Sequence, residues 1–457
     1  WIDEAGLLDV RSINAIFEIA KEQDARVILS GDTRQHASPR RGEAMRLLER
    51  EAGLHVAKVE AIQRQKGQYR GAVELISKGH EIVDERTGKS GLLAGFDRLD
   101  EMGKIKEVGE EERLELLAEA YLGSIENKKS SLVVAPTHAE ANAVTEKIRT
   151  SLKETGRLTG DERSFQQLRS LNLTDAEKRE AMTYADQKGS VIQFHQNAKG
   201  GFKKGDRFRI AGAAGNQVRV SAMDGSGSRQ LPLDVSNRFD IYQEQELKLC
   251  VGDKVRFSLG GKAMDGNKRI SNGRMDEITG FDKTGNPVLE RGTVIDKDYG
   301  HLGLGYVVTS HASQGKDRHV AIAAMSSQSL PAINAKQFYV TVSRGSEDVM
   351  LFVDDKSRIR RAIERSGEQM AATELVKARP DNRECDTTTD RGNEVFRQGQ
   401  QLVRSFRDRV VNWWINRNEA HHQNEHVGRH REAQAGRDLS KDFTRSLGRG
   451  PELGGSF

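Results

Sequence analysis

Trp1-Ile2-Asp3-Glu4-Ala5-Gly6 opens the chain. An apolar pair runs into two adjacent carboxylates and then a small residue and a glycine, as at the end of a buried parallel strand whose tip meets a metal-nucleotide complex. At such a tip the aspartate, Asp3, holds Mg²⁺ directly or through water, and Glu4 orients or deprotonates the water that attacks the γ-phosphate. A solvated turn fits the same six residues taken alone, so the decision rests on their surroundings.

Working outward, Val10 to Glu22 places Ile13, Ile16, Phe17 and Ile19 at helical spacing, and Arg26-Val27-Ile28-Leu29-Ser30 reads as a second buried strand. Strand, helix and strand predict a right-handed parallel crossover, with Asp3, Glu4 and Gln35 of Gly31-Asp32-Thr33-Arg34-Gln35-His36 at one C-terminal sheet edge. A neutral amide at that edge can sense a γ-phosphate or its attacking water; a polar turn capping a helix that begins near Arg41 is the alternative. Val56 to Ile62 reads as a short strand, followed by Gln63-Arg64-Gln65-Lys66-Gly67-Gln68-Tyr69-Arg70. The planar fork of Arg64 suits a γ-phosphate, and burying such a cluster is costly without an anion.

From Val73 to about Asn127 the pattern is helical and polar. Gly88-Lys89-Ser90 mimics the end of a phosphate-binding loop, but Val83 stands where a glycine is needed and no strand precedes it, so it is rejected. Ser131-Leu132-Val133-Val134-Ala135-Pro136 is a further parallel strand, and Thr137 and His138 begin a helix to about Leu152. Free N–H groups at that helix start favour a phosphate, while N-capping by Thr137 accounts for the same residue. Ser164 to Asp186 is expected to be a helical connector.

The character changes from Val191 to Val294, where helices give way to short strands and glycine turns: Val191 to Phe194, Asp206 to Ala211, Gln217 to Ala222, Gly252 to Ser258, Met275 to Phe281 and Pro287 to Thr293. This predicts small β-barrels inserted in an α/β domain. Lys204-Gly205-Asp206-Arg207-Phe208-Arg209-Ile210 and Val251-Gly252-Asp253-Lys254-Val255-Arg256-Phe257 open in the same way. Their basic strands fit a single-strand channel and equally a solvated face.

The α/β pattern returns at Gly303-Leu304-Gly305-Tyr306-Val307-Val308-Thr309, followed by Ser310-His311-Ala312-Ser313-Gln314-Gly315-Lys316. Gly315 allows close backbone approach to a phosphate, and Gln314 offers both donor and acceptor. A strand from His319 to Ala324, then Gln337-Phe338-Tyr339-Val340-Thr341-Val342-Ser343-Arg344-Gly345 and a closing strand Val349 to Val353, complete the pattern. Beyond Asp355, Val395, Phe396, Val403, Phe406, Val410, Trp413 and Trp414 fit an Arg-rich helix, and Asn418 to Gly450 is polar and weakly patterned.

Composition sets the bounds. The 457 residues suffice for two or three domains, and hydrophobic and charged fractions of 36% and 31%, with mean hydropathy −0.67, fit a polar chain without a membrane span. Cys250 and Cys385 lie outside any metal-ligand spacing and fit a cytoplasmic location. A net charge of +4 permits a nucleic-acid partner. Trp at position 1, with no leader before the first motif, is expected to mark an N-terminal truncation.

In order, Asp-Glu-Ala-Gly, Gly-Asp-x-x-Gln, Gln-Arg-Gln, the Thr309 to Gly315 turn and the Gln337 to Gly345 segment resemble motifs II, III, IV, V and VI of superfamily 1 helicases in their RecD-like branch. The Thr-His-Ala-Glu-Ala and Gln-Arg-Gln-Lys variants look closest to the helicase half of MobF-class conjugative relaxases, and the Val251 to Gly273 segment resembles an SH3-like insert. The resemblance implies two RecA-like parallel-sheet domains: a partial first at 1–127, a second at 128–190 and 296–356, a β-barrel insert at 191–295, and a helical tail at 357–457. It implies ATP and Mg²⁺ at an interdomain cleft, with Asp3, Glu4, Gln35, Arg64 and the arginine finger Arg344 catalytic and Gln314 and Gly315 at the nucleotide. Thr137, His138, Thr309 and His311 would grip single-stranded DNA. The implied activity is 5′ to 3′ translocation and duplex unwinding, with duplex DNA and conjugative transfer proteins as further partners, and the phosphate (Walker A) loop is expected upstream of Trp1. A RecD-like repair helicase and a non-catalytic DNA-binding module are the rival readings.

Overall fold

The computed structural model describes residues 1–368 except 39–41, 53, 55, 60, 81–82, 226 and 267, so the start of the helix near Arg41, Cys385 and the expected tail helix lie outside the described residues. The described residues form two compact units, one from Trp1–Thr33, Ala37–Glu60 and Glu368, the other from Arg34–His36 and Ala61–Gly367.

In the first unit the expected helix is Val10–Glu22, its N-terminus capped by the Asp9 carboxylate, which accepts from the Ser12 N–H at 2.7 Å. Ile13 is fully buried with Ala44 and Leu48, against Phe17 and Leu29, whereas Ile19 lies off that face and is exposed. The two expected strands meet as one parallel bridge, Ile2 opposite Leu29. Ile2 N–H donates to Ile28 O and Ser30 N–H to Ile2 O, each at 2.9 Å. The expected strand Val56 to Ile62 does not form among the described residues: Val59 is 89% exposed, so nothing buries an apolar face there.

The second unit is built on a five-stranded parallel sheet, in the order Ile105–Glu107, Gly345–Val353, Arg318–Met325, Ser131–Ala135, Val307–Thr309. Its central strands read as continuous apolar runs because helices cover both faces. One face packs on Gly67–Ser77, Gly91–Glu101 and Ala335–Val342 through Phe96, Phe338 and Leu351. The other packs on Glu110–Glu126 and His138–Glu154 through Leu117, Val144, Ile148 and Phe352. Residues 61–127 therefore sit with this sheet, whereas the resemblance implied that they continue the domain begun by the chain's opening. The short strand Ile105–Glu107 and its pairing with Gly345–Val353 carry the difference, and three residues are too few to show a period. Gly88-Lys89-Ser90 is a turn whose serine caps Gly91–Glu101.

Antiparallel sheets are inserted as expected, over a longer stretch. A six-stranded sheet runs Thr159–Ser170, Phe239–Val251, Val191–Phe194, Arg207–Ala214, Gln217–Ala222, Ser228–Gln230, and a four-stranded sheet runs Pro287–Leu289, Met275–Phe281, Lys254–Phe257, Leu302–Leu304. The expected helical connector Ser164 to Asp186 is corrected: Thr159–Ser170 is a strand, with Phe165 opposite Leu247, and only short 3-10 turns follow it. Phe165 and Leu168 are the buried positions, and their three-residue spacing imitates a helix.

The expected strand Gly303 to Thr309 is split. Leu302–Leu304 pairs with Lys254–Phe257, and Val307–Thr309 pairs with Ser131–Ala135. At the junction a Cβ on Gly305 would lie 2.9 Å from Val255 C and 3.0 Å from its O, so only glycine lets the chain pass this closely. No helix among the described residues is long and apolar enough to cross a membrane.

Candidate functional site

In the first unit Asp3 is exposed at the end of the parallel bridge. Its Oδ1 accepts from Ser30 Oγ at 2.8 Å and from the Glu4 N–H at 3.0 Å, and Trp1 Nε1 donates to the same serine at 3.0 Å. Glu4 sits in the left-handed backbone region, φ 52°, a conformation that costs a side-chain-bearing residue free energy. The Asp3 carboxylate is thus held by a backbone and a hydroxyl contact while it remains open to solvent. An exposed carboxylate fits Mg²⁺, which keeps several waters and takes one or two protein oxygens alongside phosphate. No cluster of three or more His, Cys, Asp or Glu suited to a metal occurs among the described residues.

In the second unit four sequence motifs meet. Gln65, only 3% exposed, donates through Nε2 to Ser343 O at 2.9 Å and Gly345 O at 2.8 Å, pinning both sides of Arg344. Tyr69 donates to Val342 O, one residue earlier. Arg64 Nη1 reaches Ser343 O at 3.4 Å, and its Nε lies 2.9 Å from Asp317 Oδ2. Arg344 is buried, its Nε donating to Val340 O and its Nη2 to Ser343 Oγ, each at 3.0 Å, with Nη1 3.6 Å from Asp317 Oδ1. Arg64 and Arg344, far apart in sequence, therefore converge on one carboxylate, which the sequence reading did not single out.

His36 adjoins the same region. Its Nε2 is 3.0 Å from Ser310 Oγ, and its ring stacks on His311 with centroids 3.7 Å apart. Oε1 of neighbouring Gln35 is buried and meets no hydrogen-bond partner among the described residues, as an amide oxygen awaiting a ligand or water would be. Burial, then the nearby His311, Lys336 and Arg344, lower the His36 pKa from 6.5 to about 3. Protonation therefore favours the unfolded chain, so this contribution to stability is complete above pH 6.5 and declines as pH falls towards 3. In urea unfolding, the stability difference between the parent and His36→Asn is expected to shrink by about 2 kcal/mol between pH 6.5 and 5. A pH-independent difference would show that His36 is not held neutral by the fold.

Thr309 ends its strand and Thr137 follows the end of the adjacent one, Ala135 being in register with Thr309. Thr137 caps its helix by accepting from the Glu140 N–H at 3.3 Å, and its hydroxyl is 3.2 Å from Ser329 Oγ. His138 is exposed, and partial burial followed by the charges of Arg169 and Arg256 lowers its pKa. Lys316, after Gln314 and the left-handed Gly315, φ 72°, has its pKa lowered to about 8 by burial and then by Arg256 and Arg318. Arg256 Nε is itself buried without an acceptor among the described residues. Arginines that lower the proton affinity of Lys316 and His138 in this way make a region that favours an anion. Arg169, Arg256 and Lys316 went unremarked in sequence because they come from three separate segments, although Arg256 and Lys316 lie inside quoted motifs.

Comparison with known proteins adds to this geometry. The AAA domain family matches residues 1–110. The multifunctional conjugation protein TraI of Escherichia coli is 21% identical over 418 residues, covering 83% of this chain and 23% of TraI, so the chain spans about a quarter of that relative. Among solved structures, one of two coordinating Pif1 helicases unwinding forked double-stranded DNA aligns at 12% identity over 82% of this chain and 72% of that one, with a TM-score of 0.39. Pif1 helicase from Candida albicans aligns at 15% identity over 79% and 75%, with a TM-score of 0.34. The resemblance read from the motifs is thus borne out: this chain is similar to superfamily 1 helicases, with TraI among its relatives.

Proposed function

We propose that this chain is the motor part of an ATP-dependent helicase that moves on single-stranded DNA in the 5′ to 3′ direction and unwinds duplex DNA, as the helicase portion of a cytoplasmic conjugative relaxase working with other transfer proteins. The observation that carries the reading is the convergence of Arg64, Gln65, His36, Ser310, His311 and Arg344 in one unit. Helicase motifs are expected to be brought together in this way, whereas independent surface features would be scattered.

In this reading Asp3 holds Mg²⁺, which neutralises phosphate charge when bound. Glu4 orients the attacking water, Gln35 senses the γ-phosphate, Arg64 and Arg344 stabilise its charge, and Gln314 and Gly315 line the nucleotide. Thr137, His138, Thr309 and His311 contact the DNA backbone, helped by Arg256 and Lys316. The His36 contacts tie the Gln35 loop to the Ser310 turn, a route by which loss of the γ-phosphate alters the grip on DNA.

The test is ATP hydrolysis by this sequence joined to an upstream phosphate loop, with and without single-stranded DNA. DNA should stimulate the rate, and Glu4→Gln should abolish it while leaving ATP binding intact. Hydrolysis indifferent to DNA, or untouched in Glu4→Gln, would sink the motor reading in favour of a DNA-binding module.

A further inference from the structure

Asp317 stands where the strands Arg318–Met325 and Gly345–Val353 begin side by side; Arg318 is in register with Gly345, and its N–H donates to Arg344 O at 3.1 Å. That pairing places the Asp317 carboxylate beside Arg344 whatever else is bound. One oxygen faces Arg64 Nε at 2.9 Å and the other faces Arg344 Nη1 at 3.6 Å. Two guanidiniums gathered this closely repel unless an anion lies between them. A carboxylate offers them two oxygens in a plane, the arrangement that two oxygens of a phosphoryl group also present. The two arginines differ in freedom: Arg344 is 1% exposed and fixed by Val340 O and Ser343 Oγ, while Arg64 and Asp317 are about two-fifths exposed, at 41% and 39%. Arg64 and Asp317, unlike Arg344, are therefore able to move into water, and of the two only the carboxylate is an anion whose place a phosphoryl group can take.

We propose that Asp317 is a positioning residue that substitutes for the terminal phosphate: it holds Arg64 next to Arg344 before nucleotide arrives and yields its place when the γ-phosphoryl group enters. This rests on the proposed role of the two arginines as γ-phosphate ligands. Nucleoside triphosphate then exchanges one anion for another at a preassembled pair of cations. Nucleoside diphosphate, lacking the group that competes with Asp317, leaves the carboxylate in place.

The consequence is a selective change in affinity. In Asp317→Asn, joined to the same upstream phosphate loop, the internal competitor is gone and the shape is kept. KM for ATP should fall about 2- to 5-fold, the scale of one half-exposed ion pair, while the inhibition constant for ADP stays within error of the parent. Asp317→Glu, which restores the carboxylate, should return KM for ATP towards the parent value. A merely structural salt bridge would move ATP and ADP together or neither, and either outcome overturns the proposal. Arg344→Ala measured alongside separates the two levels: if it leaves hydrolysis unchanged, the γ-phosphate role fails and Asp317 falls with it. If it abolishes hydrolysis but Asp317→Asn shows no ATP-specific shift, only the placeholder role is lost.

Discussion

Arg344→Ala, in this sequence joined to an upstream phosphate loop, is expected to lower DNA-stimulated ATP hydrolysis by about 10³ to 10⁵, the range set by an arginine that neutralises charge on a transferring phosphoryl group. The expectation comes from how the side chain is held. Its Nε and Nη2 are bonded to Val340 O and Ser343 Oγ, and Gln65 clamps the carbonyls of Ser343 and Gly345 on either side. A guanidinium fixed in this way costs little reorganisation when charge develops beside it, and such preorganisation gives electrostatic catalysis its size. Arg344→Lys is the discriminating control. It keeps the positive charge but lacks a fork able to bond Val340 O and Ser343 Oγ while facing an oxyanion, so folding should be preserved and most of the rate still lost. A loss of less than tenfold in both variants, measured as kcat at saturating ATP and DNA, would exclude Arg344 from the reacting centre.

Asp253→Ala is expected to destabilise the second unit by about 3 to 5 kcal/mol, seen as a lowered midpoint in urea or thermal unfolding. Asp253 is fully buried and accepts five hydrogen bonds: from Arg149 Nε at 2.9 Å, Arg149 Nη2 at 2.8 Å, Tyr306 OH at 2.8 Å, the Cys250 N–H at 2.8 Å and Cys250 Sγ at 3.3 Å. Burial works against the charge on Arg149, yet the hydrogen bonds and charge of Asp253 outweigh it and raise the arginine's pKa. Burial and the same carboxylate push the Cys250 thiol up to about 11, leaving it inert. Removing the carboxylate leaves the buried guanidinium with Glu162, at 3.1 Å, as its remaining carboxylate among the described residues. The double variant Asp253→Leu with Arg149→Met should recover most of the loss, because it removes both charges at similar volume. Equal destabilisation in the single and double variants would show that packing, not charge, sets the cost.

That carboxylate also marks where the sequence stopped being legible. Lys204-Gly205-Asp206 and Val251-Gly252-Asp253 look alike, and in both the glycine is left-handed, φ 95° and 93°. Asp206 only closes its own turn, accepting from the Lys203 N–H at 2.8 Å, whereas Asp253 bonds an arginine 104 residues away. Local pattern fixes the turn and says nothing of the distant partner. Elements with a strong period were readable: Val10–Glu22, Ser131–Ala135, Gln217–Ala222 and Met275–Phe281 stand within a residue of expectation. Phe239–Val251 was passed over although Phe239, Ile241, Leu247 and Leu249 alternate as a half-buried strand requires. At the candidate site the motifs disclosed Arg64, Arg344 and His311 one by one. The meeting of Arg64 and Arg344 with Asp317 depends on strand register, which no single segment encodes.

The split between Leu302–Leu304 and Val307–Thr309 carries a mechanical meaning. Only Gly305 and Tyr306 join a strand of the inserted sheet to the strand that ends in Thr309, a tether spanning about 7 Å at full stretch. Tyr306 is further fastened through its hydroxyl to Asp253. So short a tether has no slack to absorb a tug, and a load applied to the insert would arrive at Thr309 as tension along the backbone.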